Sequence, residues 1–421
     1  VKKLFLFCVF LLLPWQAFAF ELADLHGFAD LRAGTRLQED GYQRDTSILE
    51  GRLQLDYQQR FDAVTLQLRG DLVADDVTSD HDFDLEEGTG FLDLREANLL
   101  FSPTYSMDVK IGRQILTWGT GDLLFINDMF PKDWQSFFIG RDEEYLKAPS
   151  DAAMISFFPQ WATVDLVLTP RFDSDRYLSG QRISYWNPTL GRIAGRDAVI
   201  NADQPDDWFE DYELASRVSK NIEGYELALY GYRGFWKSPV GYNADSGRAA
   251  STRLNVYGGS VRGSFRGGIF NVELGYYDSR ADRDGDDAFQ PNSEMRYLLG
   301  YERELAKELT GSAQFYLEQL LDYDEYKDSL PAGQKKRDQY RQVLTVRLTK
   351  LLMQQKLTAS LFTYFSPTDK DFYLRPNVRY KLTDRWLVTF GGNLFGGTED
   401  YTFFGQLEDN SNVYAGLRYS F

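Results

Sequence analysis

Leu49-Glu-Gly-Arg-Leu-Gln-Leu-Asp-Tyr-Gln58 alternates apolar and polar without a break. Leu49, Gly51, Leu53, Leu55 and Tyr57 fall on one side of an extended chain, and Glu50, Arg52, Gln54, Asp56 and Gln58 on the other, as a side-chain period of two requires. A helix would scatter those charges around its circumference, so the stretch reads as a strand with one apolar and one wet face. Past a short turn at Asp62, Val64, Leu66, Leu68, Gly70 and Leu72 alternate with Thr65, Gln67, Arg69 and Asp71. The same pattern, followed outward, predicts strands at 28–37, 47–60, 64–75, 91–101, 107–118, 151–158, 162–170, 211–220, 225–236, 253–265, 269–280, 293–304, 309–320, 338–349, 356–366, 371–381, 386–395 and 411–421, about eighteen in all. Alternation falters around Asp93 and Glu96 in either register. Pro376, in mid-strand, predicts a bulge or a missing ladder bond.

The last run, Ser411-Asn-Val-Tyr-Ala-Gly-Leu-Arg-Tyr-Ser-Phe421, puts Val413, Ala415, Leu417, Tyr419 and Phe421 on one face and Asn412, Tyr414, Gly416 and Arg418 on the other. It resembles the terminal strand, commonly ending on an aromatic, that the barrel-assembly machinery of Gram-negative bacteria recognises, and so implies that machinery as a partner. At the other end Lys2 and Lys3 precede the apolar run Leu4 to Leu13 and the small-residue pattern Ala17-Phe18-Ala19. This is the form of a signal peptide over 1–19, too short to span a bilayer of about 30 Å as a helix. A single domain is expected over 20–421. Cys8, inside the leader, is the one cysteine, so the mature chain is expected to carry no disulfide or thiolate metal site.

Acidic residues outnumber basic ones, 63 to 46, which makes nucleic acid an unsuitable partner. Aromatics make up 15%, yet no mature stretch approaches eighteen continuous apolar residues, which excludes a helical inner-membrane bundle. The expected fold is therefore all-β: a transmembrane antiparallel up-and-down β-barrel in the outer membrane, surrounded by lipid and lipopolysaccharide.

Connections support this. Short links fall at Asp62, Pro103, Gln160, Glu223, Gly267, Lys307, Gln354 and Asp384, with long ones between them; Ser366 to Lys370 is the brief exception. Short periplasmic turns and long outer loops put both termini in the periplasm. Phe61, Phe101, Tyr105, Phe158, Trp161, Tyr225, Phe265, Phe270, Tyr301, Tyr380 and Trp386 crowd the short turns, as an interfacial girdle does.

A barrel this wide holds an aqueous channel unless something folds into it. The candidate is the third long loop, 119–150, where Phe125, Phe130, Trp134, Phe137, Phe138 and Tyr145 alternate with Asp122, Asp128, Asp133, Asp142, Glu143 and Glu144. So apolar a segment is expected to fold inward as a constriction loop; the alternative is a cover over the barrel mouth. Gly112-Arg113-Gln114, Trp118-Gly119, an Asn-containing stretch and Leu146-Lys147-Ala148-Pro149 together resemble the alginate-export porin family and related proteobacterial porins. The resemblance covers roughly Val109 to Pro149 and implies a passive, substrate-selective channel of about eighteen strands, with Arg113 in the substrate pathway.

The inward set should write the selectivity. It is mixed on the early strands: Asp30, Arg32, Arg36, Glu50, Arg52, Asp56, Arg60, Arg69 and Asp71. On the late strands Arg341, Arg347, Arg375, Arg379, Lys381 and Arg418 take the polar parity with no acid among them. Facing an acidic loop, they would set a transverse field suited to small anionic or sugar-like solutes; alternatively each pairs with a nearby carboxylate. A further alternative has the loop aromatics line a path for hydrophobic or aromatic compounds. Seven acids between Asp75 and Glu87, and the cluster Asp282, Asp284 and Asp286, suggest calcium, but no closing glutamate follows. A solvated acidic surface exchanging ions with lipopolysaccharide is the competing reading. With His26 and His81 the only histidines, and no phosphate loop or zinc spacing, neither an enzyme nor a cofactor is expected; a barrel-embedded hydrolase is the residual alternative.

Overall fold

Eighteen amphipathic strands carry unpaired N–H and C=O groups along every edge, and only a closed ring pairs them all. The computed structural model describes residues 25–77 and 83–421, and forms that ring from antiparallel neighbours. Its strands are β1 (Leu25–Arg36), β2 (Thr46–Phe61), β3 (Val64–Asp75), β4 (Leu92–Thr104), β5 (Met107–Gln114), β6 (Ser150–Phe157), β7 (Thr163–Thr169), β8 (Glu213–Ile222) and β9 (Tyr225–Phe235). They continue with β10 (Arg253–Phe265), β11 (Gly268–Ser279), β12 (Glu294–Ala306), β13 (Leu309–Leu320), β14 (Tyr340–Leu352), β15 (Leu357–Ser366), β16 (Asp371–Lys381), β17 (Trp386–Gly397) and β18 (Asn412–Ser420). β18 closes on β1, from Asn412 opposite Arg36 to Ser420 opposite Phe28. The leader expected over 1–19, and His81, lie outside the described residues.

Tight turns join the strands at one end. Glu223-Gly224 and Arg266-Gly267 have both residues at positive φ (52° and 88°, 45° and 77°), the geometry that matches the twist of a two-residue hairpin. At the other end the long connections carry two small hairpins, helix α1 (Trp134–Ile139) and helix α2 (Tyr323–Ser329). Among the described residues no helix is long and apolar enough to cross a membrane.

The two faces of the wall are inverted relative to a water-soluble sandwich. Leu31, Leu49, Leu72, Leu229, Leu299 and Phe390 are exposed, whereas Asp30, Arg32, Glu50, Arg52 and Asp71, on the opposite parity, are buried. Tyr105, Phe158, Trp161, Phe265 and Trp386 stand exposed around the short-turn end.

Local departures have local causes. The β3–β4 register steps between Arg69 opposite Glu96 and Gly70 opposite Leu94, leaving Arg95 as an extra residue. That bulge flips the parity, so that Asp93 and Arg95 are buried before it and Asn98 after it, which is why no single register fitted the sequence. β5 stops at Gln114 and not at 118, so 115–118 join the long segment that follows. The link expected at Pro103 forms at Tyr105-Ser106, after a register shift between Phe101 and Thr104. At Pro376 the β16–β17 pairing skips Arg375 and Pro376 and resumes at Asn377 opposite Gly391 in unchanged register, so the proline costs ladder contacts without a bulge.

Candidate functional site

The segment from 115 to 149 crosses from β5 to β6 and is held along its length by side chains of the buried parity. It is locally well specified. Asp133 caps α1, accepting from the Ser136 amide at 2.7 Å, and Gly140 ends it at φ 94°, where a Cβ would lie 2.3 Å from the Tyr414 ring. A 3-10 turn, Glu143–Leu146, then leads back toward the wall.

Polar contacts anchor the first half. Glu273 of β11 accepts from the amides of Thr120 and Gly121, and Asn127 donates to its other oxygen at 3.0 Å. Gln314 of β13 makes two hydrogen bonds of 2.8 Å with the Asp122 backbone. Tyr364 of β15 donates to the Leu123 carbonyl at 2.6 Å and Tyr277 of β11 to that of Ile126. Apolar packing holds the middle. Phe137 and Phe138, each 2% exposed, meet the ring of Tyr373, and Phe138 that of Phe395 at 5.3 Å.

Ion pairs fix the second half. Arg141 pairs with Glu50 at 2.5 Å; Asp142 with Arg32 at 2.8 Å and with Arg418; and Glu143 with Arg347 at 3.3 Å and Arg375 at 3.1 Å. Glu144 lies 3.6 Å from Arg418. Tyr145 donates to Asp71 at 2.7 Å beneath the guanidinium of Arg52, whose carbon is 4.3 Å from the ring centre. The segment thus touches β1 to β3, β11 and β13 to β18; Arg95 of the β4 bulge also donates to the Lys147 carbonyl at 2.8 Å.

Most of the arginines singled out by parity are therefore bound, and the expected field across an open gap is replaced by direct pairing. Arg347 also grips Asp122 (2.7 Å), and Arg341 pairs with Asp369 (2.5 Å). Arg379 and Lys381 differ: both are exposed, and neither makes an ion pair among the described residues. Asp371, at the start of β16, shares their parity and is fully buried, so the late strands do carry one acid. Arg113 stands apart. It has the parity of exposed Ile111 and reaches Asp151 (2.9 Å) and the Leu94 and Leu85 carbonyls, because Gln114 and Gly112 take the other side.

Within the segment, Asp128 is consumed by Thr117 (2.8 Å) and Lys132 (3.1 Å), Asp133 by its cap and by Arg176 (3.3 Å), and the Trp134 indole donates to Asp175 (3.1 Å). Phe125, Met129 and Trp134 turn to the long-loop side, where they line a cavity of about 1100 Å³ that Arg337 and Arg341 also border. The carboxylate of Asp282 accepts from the amides of Gly285, Asp286 and Asp287 (2.8–3.2 Å), while Asp284 and Asp286 are exposed. Among the described residues no group of three or more potential ligands is placed to hold a metal ion.

Asp142 and Asp122 titrate differently. Burial acts to raise the Asp142 carboxyl, but Arg32 and Arg418 overcome it and hold it down to about 2. Burial lifts Asp122 above the usual carboxylate range in spite of Arg347. Asp142 therefore stabilises the attachment at every pH above the ordinary carboxylate value, and that contribution is lost only as pH falls through about 2. Asp122 is ionised at a cost, and it takes up its proton first on acidification. We expect channel noise that appears as the pH is lowered from neutrality toward the carboxylate range, and that is already present at neutral pH in Asp122→Asn, which mimics the protonated acid; a variant as quiet as the wild type at neutral pH would assign the noise elsewhere.

No family model matches the sequence, and no curated protein matches it. Solved structures do. OccK11 (OpdR) of Pseudomonas aeruginosa aligns with a TM-score of 0.53 over 95% of this chain and 96% of its own, at 10% identity. The fold is that of the outer-membrane porins. OccAB1 of Acinetobacter baumannii (TM-score 0.52, 94% and 96% covered, 10% identity) and OccK3 (OpdO) of P. aeruginosa (0.51, 95% and 96%, 10%) share this porin barrel. Identities this low carry the architecture alone.

The anchors of the segment that sequence reasoning did not single out are Glu273, Gln314, Tyr277 and Tyr364. All are polar or phenolic residues on the wet parity of a strand, so their orientation was legible and their long-range partner was not.

Proposed function

We propose that the chain is an outer-membrane porin, a passive channel for small hydrophilic anions, with long loops outward and both termini in the periplasm. The segment at 119–150 folds into the barrel and narrows it. In support, it meets same-parity side chains from strands on opposite sides of a closed ring, which only a segment inside the ring can reach. Solutes pass beside it, along β14 to β18.

The single observation that carries the anion preference is the pair Arg379 and Lys381, exposed on the polar parity of β16 and free of ion pairs among the described residues, next to the engaged bases Arg347, Arg375 and Arg418. An unpaired cation on a narrow wall of low dielectric concentrates anions where a paired one does not. In a planar bilayer under a potassium chloride gradient, the wild type should show an anion-selective reversal potential, and Arg379→Ala/Lys381→Ala should collapse it toward zero. An unchanged reversal potential would remove these residues from selectivity. A path for hydrophobic or aromatic compounds draws support from Phe125, Met129 and Trp134 on the cavity wall, and would show as block of the ion current by a neutral aromatic solute. The similarity of Val109 to Pro149 to alginate-export porins fits a selective channel without fixing its substrate.

A further inference from the structure

On the exposed face of the wall, at the long-loop end of β6 to β11, apolar side chains give way to arginines. Arg233 near the end of β9 has the parity of exposed Leu227 and Leu229, Arg253 begins β10 on the parity of exposed Tyr257, and Arg280 and Arg283 follow β11. Between them and the strands lies a groove of about 760 Å³ floored by Ile155, Leu166, Leu168, Leu214 and Tyr257.

Charge in this patch is unbalanced. Arg283 pairs with Asp278 at 2.9 Å, and Arg253 lies 4.0 Å from Asp211. Arg233 and Arg280 make no ion pair among the described residues. The arginines feel one another: burial, and then Arg233, Arg253 and Arg283, hold Arg280 below its ordinary value. In a chain of net charge −17, a local surplus of guanidinium on a face that otherwise suits lipid calls for an anion from outside the protein.

We propose that this groove binds a phosphorylated, acylated glycolipid of the leaflet facing the long loops, the lipid anchor of lipopolysaccharide. The proposal rests on the membrane orientation given above. Guanidinium forks match phosphate oxygens in geometry as well as charge. A free phosphate would leave the apolar floor bare, whereas a glycolipid places its phosphates at the arginine rim and runs its acyl chains down the floor onto the exposed leucines below.

The test uses the full-length protein in detergent with three probes: bisphosphorylated lipid A, dephosphorylated lipid A and inorganic phosphate, read by native mass spectrometry. Wild type should retain bisphosphorylated lipid A roughly tenfold more strongly than the dephosphorylated form, with each basic residue contributing severalfold. Arg233→Ala/Arg280→Ala should lose that preference, and Arg233→Lys/Arg280→Lys should keep part of it. Equal retention of both lipids by the wild type, an unchanged preference in the alanine variant, displacement of the lipid by inorganic phosphate at millimolar concentration, or a change in oligomeric state with no change in lipid affinity would each overturn the proposal. Reversal potentials measured in neutral lipid report on the channel separately, so failure of the anion-channel reading would leave the lipid preference intact.

Discussion

Arg52→Ala should loosen the segment between β5 and β6 more than any exposed substitution on the wall. Arg52, 5% exposed, donates to Glu50 at 2.9 Å and to Asp71 at 2.5 Å, and covers the Tyr145 ring. Glu50 in turn holds Arg141, and Asp71 accepts from Tyr145, so one guanidinium neutralises both carboxylates through which the wall grips the returning arm of the segment. Its removal leaves two buried acids sharing only the partners that remain, a change that costs about 3–5 kcal/mol when a buried pair is broken from one side. The loss falls on the attachment and not on the ladder, because the β1–β2 and β2–β3 backbone pairings run unbroken past residue 52. Trypsin should then cut at Arg141 and Lys147 in detergent-solubilised variant far faster than in wild type, and single channels should become noisy. Arg52→Ala/Asp71→Asn, which also removes one of the stranded charges, should recover part of the protection. Cleavage at the wild-type rate in Arg52→Ala would show that the network is ornamental.

How much of this was readable beforehand differs between wall and segment. The eighteen strands were legible because their two faces meet different solvents, and a period of two leaves nothing else to decide: Leu49 to Gln58 lies in β2 with the parity its sequence dictates. Where a strand must serve a second purpose the pattern fails. Arg95 is an extra residue that moves the buried parity from Asp93 and Arg95 to Asn98, and no alternation encodes an insertion. β5 gives up 115–118 to the segment, where Leu116 and Trp118 join the buried apolar cluster instead of pairing with β6.

For the site, parity put Arg341, Arg347, Arg375, Arg379, Lys381 and Arg418 on one face, but it could not say which were free. That depends on where Asp122, Asp142, Glu143 and Glu144 come to rest, and their positions follow from tertiary contacts such as Phe137 and Phe138 against Tyr373. The loop aromatics differ in burial for the same reason: Phe137 and Phe138 are packed against the wall at 2% exposure, while Phe125 and Trp134, which border the same cavity, are only partly buried. Arg113 was singled out by its motif, whereas parity alone would have set it with Ile111.

Replacing residues 120–147 by a short glycine-serine linker should have the largest effect on conduction. The ring does not need the segment for closure, since β5 and β6 pair directly from Met107 opposite Phe157 to Gln114 opposite Ser150. In the proposed arrangement it supplies bulk across the ring, and an eighteen-stranded barrel without such bulk leaves an aqueous channel. The exposed wall bases, Arg379 and Lys381, would remain, but would face a wider, more water-like space in which their influence on ions is weaker. Single-channel conductance of the refolded deletion variant in planar bilayers is the direct measurement. A severalfold rise over wild type, together with a fall in anion selectivity, is the expected result; conductance and selectivity equal to those of the wild type would contradict an account in which this segment narrows the pore.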